Sequence, residues 1–248
     1  MIFVSDTHFK YRDRSAEEKM KKATFLDFLA GLEGTSRLYL VGDIFDFWFE
    51  YRSVVPRYYR DVLDALSALK RGGTEIFLSG GNHDFWYGSF ISETLGFTVL
   101  PQLAVHDLQG RRVAITHGDD LLPRDFAYKT LKALIRSRGV IALAGAVHPD
   151  ILFAFAESFS KASKGVTEGR TERSARALLE MAPRSCFKWG NDTFVMGHIH
   201  YPVLERFGDK VFVILGDWEK HFTYGRLEAG ELTLERYKPR PDTFNEKR

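Results

Sequence analysis

Cysteine is almost absent from the chain. A single residue, Cys186, excludes an intrachain disulfide and any metal site built from several thiolates. An excess of charge is missing too: 35 Lys and Arg stand against 33 Asp and Glu, a formal net of +2. A whole-molecule cationic field of the kind that grips nucleic acid is therefore absent, and no nucleic-acid partner is expected. Long apolar runs are lacking as well. The greasiest stretch, residues 139–156, is broken by His148-Pro149-Asp150, whereas a spanning helix needs about 20 continuous apolar residues. The first residues, Met1-Ile2-Phe3-Val4-Ser5-Asp6, have neither the basic start nor the apolar length of a signal peptide. A cytoplasmic protein is expected, with the 139–156 segment left to explain. What the 248 residues do hold is 44% hydrophobic and 27% charged side chains, a globular mixture able to offset the entropy of ordering, and eight histidines.

The first 120 residues alternate short apolar runs with longer amphipathic ones. Ile2-Phe3-Val4, residues 37–41 and residues 75–78 read as buried strands. Between them, Phe25, Phe28, Leu29 and Leu32 recur at helical spacing within residues 15–33, and a second helix over 58–71 stops at Gly72-Gly73. Strands alternating with helices predict βαβ units. The rhythm then changes. Residues 103–107 and 111–116 flank a Gln109-Gly110 turn and predict an antiparallel hairpin. From residue 192 onward only strands follow, at 192–196, 202–207, 211–215, 223–227 and 231–237. The segment 121–188 reads almost wholly helical, and the tail 241–248 is polar. The expected architecture is a layered α/β core from residues 1–120 and 189–240, with 121–188 inserted as a helical cap.

Polar residues of one kind stand wherever a strand ends. The first strand delivers Asp6 and His8 (S-D-T-H), the second Asp43 (G-D-I-F-D), and the third Asn82, His83 and Asp84 (G-N-H-D). The hairpin delivers His117 (T-H-G-D), and the strand at 192–196 delivers His198 and His200 (G-H-I-H). In α/β sheets ligands bind at the carboxyl ends of strands, so the five clusters should converge. A lone D-x-H or H-x-H reads more readily as structural, but five such motifs at successive strand ends do not arise from packing. His106, His148 and His221 lack partner motifs and are read as structural or surface. Imidazoles, carboxylates and one amide carbonyl, without thiolate, suit manganese first, with iron or zinc as alternatives. Seven such groups are too many for one tetrahedral site. They suit two ions sharing a ligand, about 3.5–4 Å apart, as in phosphoryl-transfer enzymes. Two ions bring +4 and Asp6 and Asp43 bring −2, leaving charge for a hydroxide and a phosphoryl oxygen.

These motifs resemble those of the calcineurin-like metallophosphoesterases, whose signature D-x-H, G-D-x-x-D, G-N-H-D/E, G-H and G-H-x-H stands intact over residues 1–217. The resemblance implies a β-sandwich flanked by helices with a dinuclear centre at one edge. It also implies that Asp6, His8, Asp43 and His200 hold one ion. Asp43, Asn82, His117 and His198 hold the other, so Asp43 bridges. His83, oriented by Asp84, is expected to serve the leaving oxygen, and a metal-bound hydroxide to attack phosphorus.

The insertion carries a further clue. Residues 120–188 hold 12 Lys or Arg against seven Asp or Glu, a net of +5 that leaves the rest of the chain at −3. They also hold the apolar runs 140–147 and 151–156. Basic and apolar together suit an amphiphilic anionic ligand or a membrane surface; a helical pair packed on itself is the plain alternative. Here the chain is similar to the UDP-2,3-diacylglucosamine pyrophosphohydrolases of lipid A synthesis. Their H-G-D-x-L-x-x-x-D-x-x-Y pattern matches His117 through Asp125 and Tyr128, and their S-K element matches Ser163-Lys164. The resemblance implies that Asp125, Tyr128, Ser163, Lys164, Thr167 and Arg170 hold sugar and diphosphate, and that acyl chains lie against residues 139–156. The implied reaction releases UMP and 2,3-diacylglucosamine 1-phosphate from an amphiphilic UDP-sugar lipid, with peripheral contact at the cytoplasmic face of the inner membrane. One departure stands out: well-known members carry Arg where this chain has His83. A different phosphoester, soluble or proteinaceous, and a non-catalytic binding module on the same fold are the competing expectations. Oligomeric state is not legible.

Overall fold

Side-chain alternation along the strands decides which surfaces they bury. In β2 (Arg37–Val41), Leu38 and Leu40 face one cluster while Tyr39 and Val41 face another. The same switch separates Ile2 and Val4 from Phe3 in β1 (Ile2–Val4), as the two-residue period of a strand requires. A computed structural model describes residues 1–12, 15–121, 130, 133–164 and 171–239. It shows two sheets packed face to face with helices on both outer surfaces.

The first sheet has the order β11-β10-β1-β2-β3-β4, with β3 at Glu75–Ser79, β4 at Thr98–Leu100, β10 at Thr223–Glu228 and β11 at Glu231–Arg236. Strands β1 to β4 run parallel, and β10 joins β1 antiparallel. The second sheet has the order β5-β6-β7-β9-β8, from Leu103–Leu108, Arg111–Thr116, Thr193–Met196, Lys210–Ile214 and Val203–Phe207. Its central strands β6, β7 and β9 are parallel. Phe3, Tyr39, Val41, Ile115, Val195 and Val213 fill the space between the sheets.

Helices α1 (Ala16–Ala30) and α2 (Arg60–Arg71) cover the first sheet with Phe25, Phe28, Leu29, Val62 and Leu66. Ser15 caps α1 by accepting the Glu18 N–H. The described residues of the inserted segment include the helices α3 (Arg138–Ala146), α4 (Pro149–Lys164) and α5 (Thr171–Ser185). The last covers the second sheet through Ala175, Leu178 and Ala182. Helix α4 instead reaches the first sheet's cluster through Phe153, whose ring lies 4.5 Å from Tyr11 and 4.9 Å from Phe47. Among the described residues no single helix is long and apolar enough to cross a membrane; α3 and the start of α4 reach that length together but bend by 120°.

The expected strands and the first two helices are present. The three-residue β4 was not anticipated: Thr-Val-Leu before Pro101 is too short and too exposed to show a period.

Candidate metal centre

Parallel strands send their carboxyl ends to one edge, and the five motifs meet there. The loop after β1 zips onto the loop after β2: Asp6 N–H donates to Gly42 O, His8 N–H to Asp43 O and Phe9 N–H to Ile44 O. The cost of this arrangement lies in the backbone. Asp6, His8, Asp43 and His198 all take left-handed φ values, 53°, 44°, 53° and 66°, a region that side-chain-bearing residues rarely occupy. Such strain persists where surrounding structure over-determines it, and functional sites are where it collects.

Two half-sites result. In one, His8 Nε2 lies 3.2 Å from His200 Nε2, and Asp6 Oδ1 lies 3.3 Å from His200 Nε2 and 3.7 Å from His8 Nε2. In the other, His117 Nε2 lies 3.2 Å from Asp43 Oδ2 and 3.3 Å from Asn82 Oδ1, and His198 completes a group with Asp43 and His117. Asp43 Oδ2 is also 3.7 Å from His8 Nε2, so one carboxylate oxygen faces both halves.

The donor set fits divalent cations. Asp6 is fully buried; its Oδ2 accepts the His198 N–H at 2.9 Å, while Oδ1 has no hydrogen-bond partner. A buried carboxylate oxygen that accepts no hydrogen bond calls for a cation beside it. His117 Nδ1–H donates to Val41 O at 3.0 Å, which leaves the Nε2 lone pair aimed into the cluster. The titration pattern agrees. Burial opposes charge at His8 and His117, yet the carboxylates of Asp46, Asp6 and Asp43 raise His8, and those of Asp43, Asp6 and Asp119 raise His117, each to about 10. Burial also opposes ionisation of Asp6 and Asp43, but the surrounding histidines hold both below the usual carboxylate range. Burial and the charge of His117 push His198 down to about 3, so its imidazole is neutral.

His83 sits beside this cluster, its ring 4.8 Å from that of His8 and edge-on to it. Its Nδ1–H donates to the Asp46 carbonyl at 3.0 Å, and the Asp46 carboxylate lies 3.6 Å from the Nδ1 of both His83 and His8. The expectation that Asp84 orients His83 is therefore corrected. Asp84 is buried, and its carboxylate accepts the N–H groups of Asp43, Ile44, Phe45 and Gly81 at 2.7–3.1 Å. It pins two ligand-bearing loops together, because a short loop rich in unpaired N–H groups needs an anion more than the neighbouring imidazole does. Asp46, the last residue of G-D-I-F-D, takes the orienting role; its spacing in the motif was the signal available.

Arg136 was not anticipated either. Its Nη2 donates to Gly81 O at 3.0 Å, and its guanidinium lies 4.6 Å over Phe85 and 3.7 Å from Asp119. The inserted segment thus touches the loop that carries Asn82 and His83. Of the expected sugar and diphosphate contacts, Asp125, Tyr128, Thr167 and Arg170 lie outside the described residues. Ser163 and Lys164 end α4, with side chains outside the described set. His106, His148 and His221 pair with Tyr39, the Asp150 N–H and Asp217, away from the cluster.

A sequence model described as calcineurin-like phosphoesterase matches residues 1–202. The chain belongs to that family. As a calcineurin-like phosphoesterase it is a metal-dependent hydrolase, and its two half-sites contain groups of residues able to hold divalent ions. Its relatives include the UDP-2,3-diacylglucosamine hydrolase of Pseudomonas fluorescens, 30% identical over 89% of this chain and 88% of that protein. The hydrolase of the same name from Xanthomonas campestris is 30% identical over 94% of this chain and 97% of that one. Among solved structures, an archaeal phosphodiesterase superposes with a TM-score of 0.45 at 13% identity, covering 95% of this chain and 99% of that one. That likeness is too remote to carry function.

Proposed function

We propose that this calcineurin-like phosphoesterase hydrolyses the pyrophosphate bond of UDP-2,3-diacylglucosamine, releasing UMP and 2,3-diacylglucosamine 1-phosphate. The observation that carries the substrate is the extent of the likeness to hydrolases of that name, which spans the insertion as well as the core. Asp6, His8, His200 and Asp43 would hold one ion, and Asp43, Asn82, His117 and His198 the other, manganese being the first candidate. When bound, the ions supply polarisation of the phosphoryl oxygens and acidify the attacking water. The chain's own residues do the rest. Asp46 fixes the tautomer of His83 through the Nδ1–H, so the ring's other nitrogen, Nε2, is the one able to hold a proton for the leaving oxygen. Residues 121–188 act as a cap that receives the acyl chains. Leu143, Ile151 and Phe155 are exposed there, which suits both that role and a peripheral contact with lipid at the membrane surface.

The deciding experiment is manganese-dependent UMP release from UDP-2,3-diacylglucosamine. Absence of UMP from protein carrying two ions would overturn the substrate. His83 favours a second reading, hydrolysis of another phosphoester, because a histidine here serves leaving-group protonation without adding the fixed cation of a sugar-phosphate site. A panel of soluble phosphodiesters separates the two: the lipid enzyme should neglect most of them.

A further inference from the structure

Helix α1 buries a stripe at helical spacing, and the first two members of that stripe are charged. Glu18 and Lys21 are each only 5% exposed, on the same face as Phe25, Phe28 and Leu29. Their charges meet, Lys21 Nζ to Glu18 Oε2 at 2.9 Å. A buried ion pair is a poor source of stability, since apolar residues of similar volume commonly do as well or better. Core packing alone therefore gives no reason for it.

What the pair grips gives one. Lys21 Nζ donates to the carbonyl of His8 at 2.8 Å, and Glu18 Oε1 accepts the N–H of Lys10 at 2.9 Å. The ammonium also lies 5.5 Å from the Phe9 ring, with Glu219 a further charge near it. The two side chains thus clasp the backbone on both sides of Phe9. This is the segment that holds Asp6 and His8 in left-handed conformations, and with them the atoms that meet His200. The other half-site has a separate anchor, the Asp84 carboxylate with its four N–H donors.

We infer that the Glu18–Lys21 pair positions His8 and so sets the affinity of the Asp6–His8–His200 half-site for its ion, leaving the Asp43–His117–His198 half-site unaffected. This rests on the two-ion reading of the centre. It is tested by calorimetric titration of metal-stripped, full-length protein with Mn²⁺. The wild type should take up two ions. Lys21→Met should weaken one of them about tenfold or more, the scale on which residues behind a metal ligand act, and the other no more than about twofold. Lys21→Arg, which keeps the charge and the donor, should recover most of the loss. In a His198→Ala background, which cripples the other half-site, Lys21→Met should weaken the single remaining strong ion.

Should Lys21→Met not fold, the neutral pair Glu18→Gln with Lys21→Met serves, its folding checked by circular dichroism. Equal weakening of both ions, or a lowered melting temperature with both affinities intact, would overturn the inference in favour of a structural role. Fewer than two ions in the wild type would remove instead the two-ion reading beneath it.

Discussion

His8, His83, His117 and His198 each have the far nitrogen or the backbone committed elsewhere, which decides what the near nitrogen can do. His83 is tied by Nδ1 to the Asp46 carbonyl, so its remaining work is at Nε2, which the proposed mechanism assigns to the leaving oxygen and not to an ion, although His83 also groups with His8 and Asp43 as potential ligands. His83→Ala should therefore lower kcat by about 10²–10⁴, the usual scale of lost general acid catalysis. Two-ion content by mass spectrometry should be unchanged, and loss of an ion would reassign the residue as a ligand. His8 and His117 carry the opposite message. Their pKa values in the ion-free protein lie near 10, above the unfolded value of 6.5. The stability they contribute as cations is thus complete below pH 6.5 and lost as pH rises through 10. Ions compete with those protons. The melting temperature of stripped protein should fall between pH 7 and 10, and the increment given by Mn²⁺ should grow over the same window. Loading at pH 8 should release up to about two protons per chain; an increment that shrinks with pH would contradict this assignment.

At the scale of elements, the centre depends on how closely β2 and β6 end beside one another. Gly42 follows β2 with φ +81°, and a Cβ there would meet His117 Nδ1 at 2.5 Å, the atom bonded to Val41 O. Gly34 has the same φ with nothing within 4 Å. Gly34→Ala should show the backbone strain alone, about 1–3 kcal/mol in a denaturant titration. Gly42→Ala should exceed it and also lose metal at the Asp43–His117 half-site; equal effects would show that crowding plays no part. How far these elements were legible beforehand follows the same logic. Strands β1, β2, β3, β6 and β7 announce themselves by apolar runs ending in S-D, G-D, G-N-H-D, H-G or G-H, since a strand end and a ligand must coincide. Asp84 was misassigned because adjacency in sequence to His83 says nothing about which N–H groups its carboxylate faces. Lys21 and Glu18 were hidden because a charged pair on a helix reads as a solvated face until tertiary packing covers it. Arg136 lay beyond reach altogether: it meets Gly81 from 55 residues away, and no local pattern encodes that contact.

The whole molecule joins a two-sheet frame to an inserted segment whose α5 lies on the second sheet, while the described residues ahead of α5 meet the frame through a separate set of contacts. Arg136 meets the Gly81 carbonyl, and Asp150 accepts from Tyr11 Oη and pairs with Arg12. Phe153 supplies the apolar anchor: it is 2% exposed between Tyr11 and Phe47, whereas Leu143 and Phe155 nearby are each 69% exposed. Phe47 in turn adjoins Asp46, so this anchor reaches to within one residue of the group that orients His83. Phe153→Ala removes a buried ring of the kind worth about 3–5 kcal/mol in a core. Because the ring ties insertion to frame rather than sheet to sheet, that loss should appear as local opening. Hydrogen exchange should accelerate across α4 while the cooperative melting of the sheets stays near wild type. The kinetic consequence separates binding from chemistry. KM for the diacylated substrate should rise about tenfold or more, while hydrolysis of a small chromogenic phosphodiester, which needs only the metal centre, should change little. A matched loss on both substrates would mean that Phe153 supports the centre itself, and would count against residues 121–188 as the part of the molecule that receives the lipid.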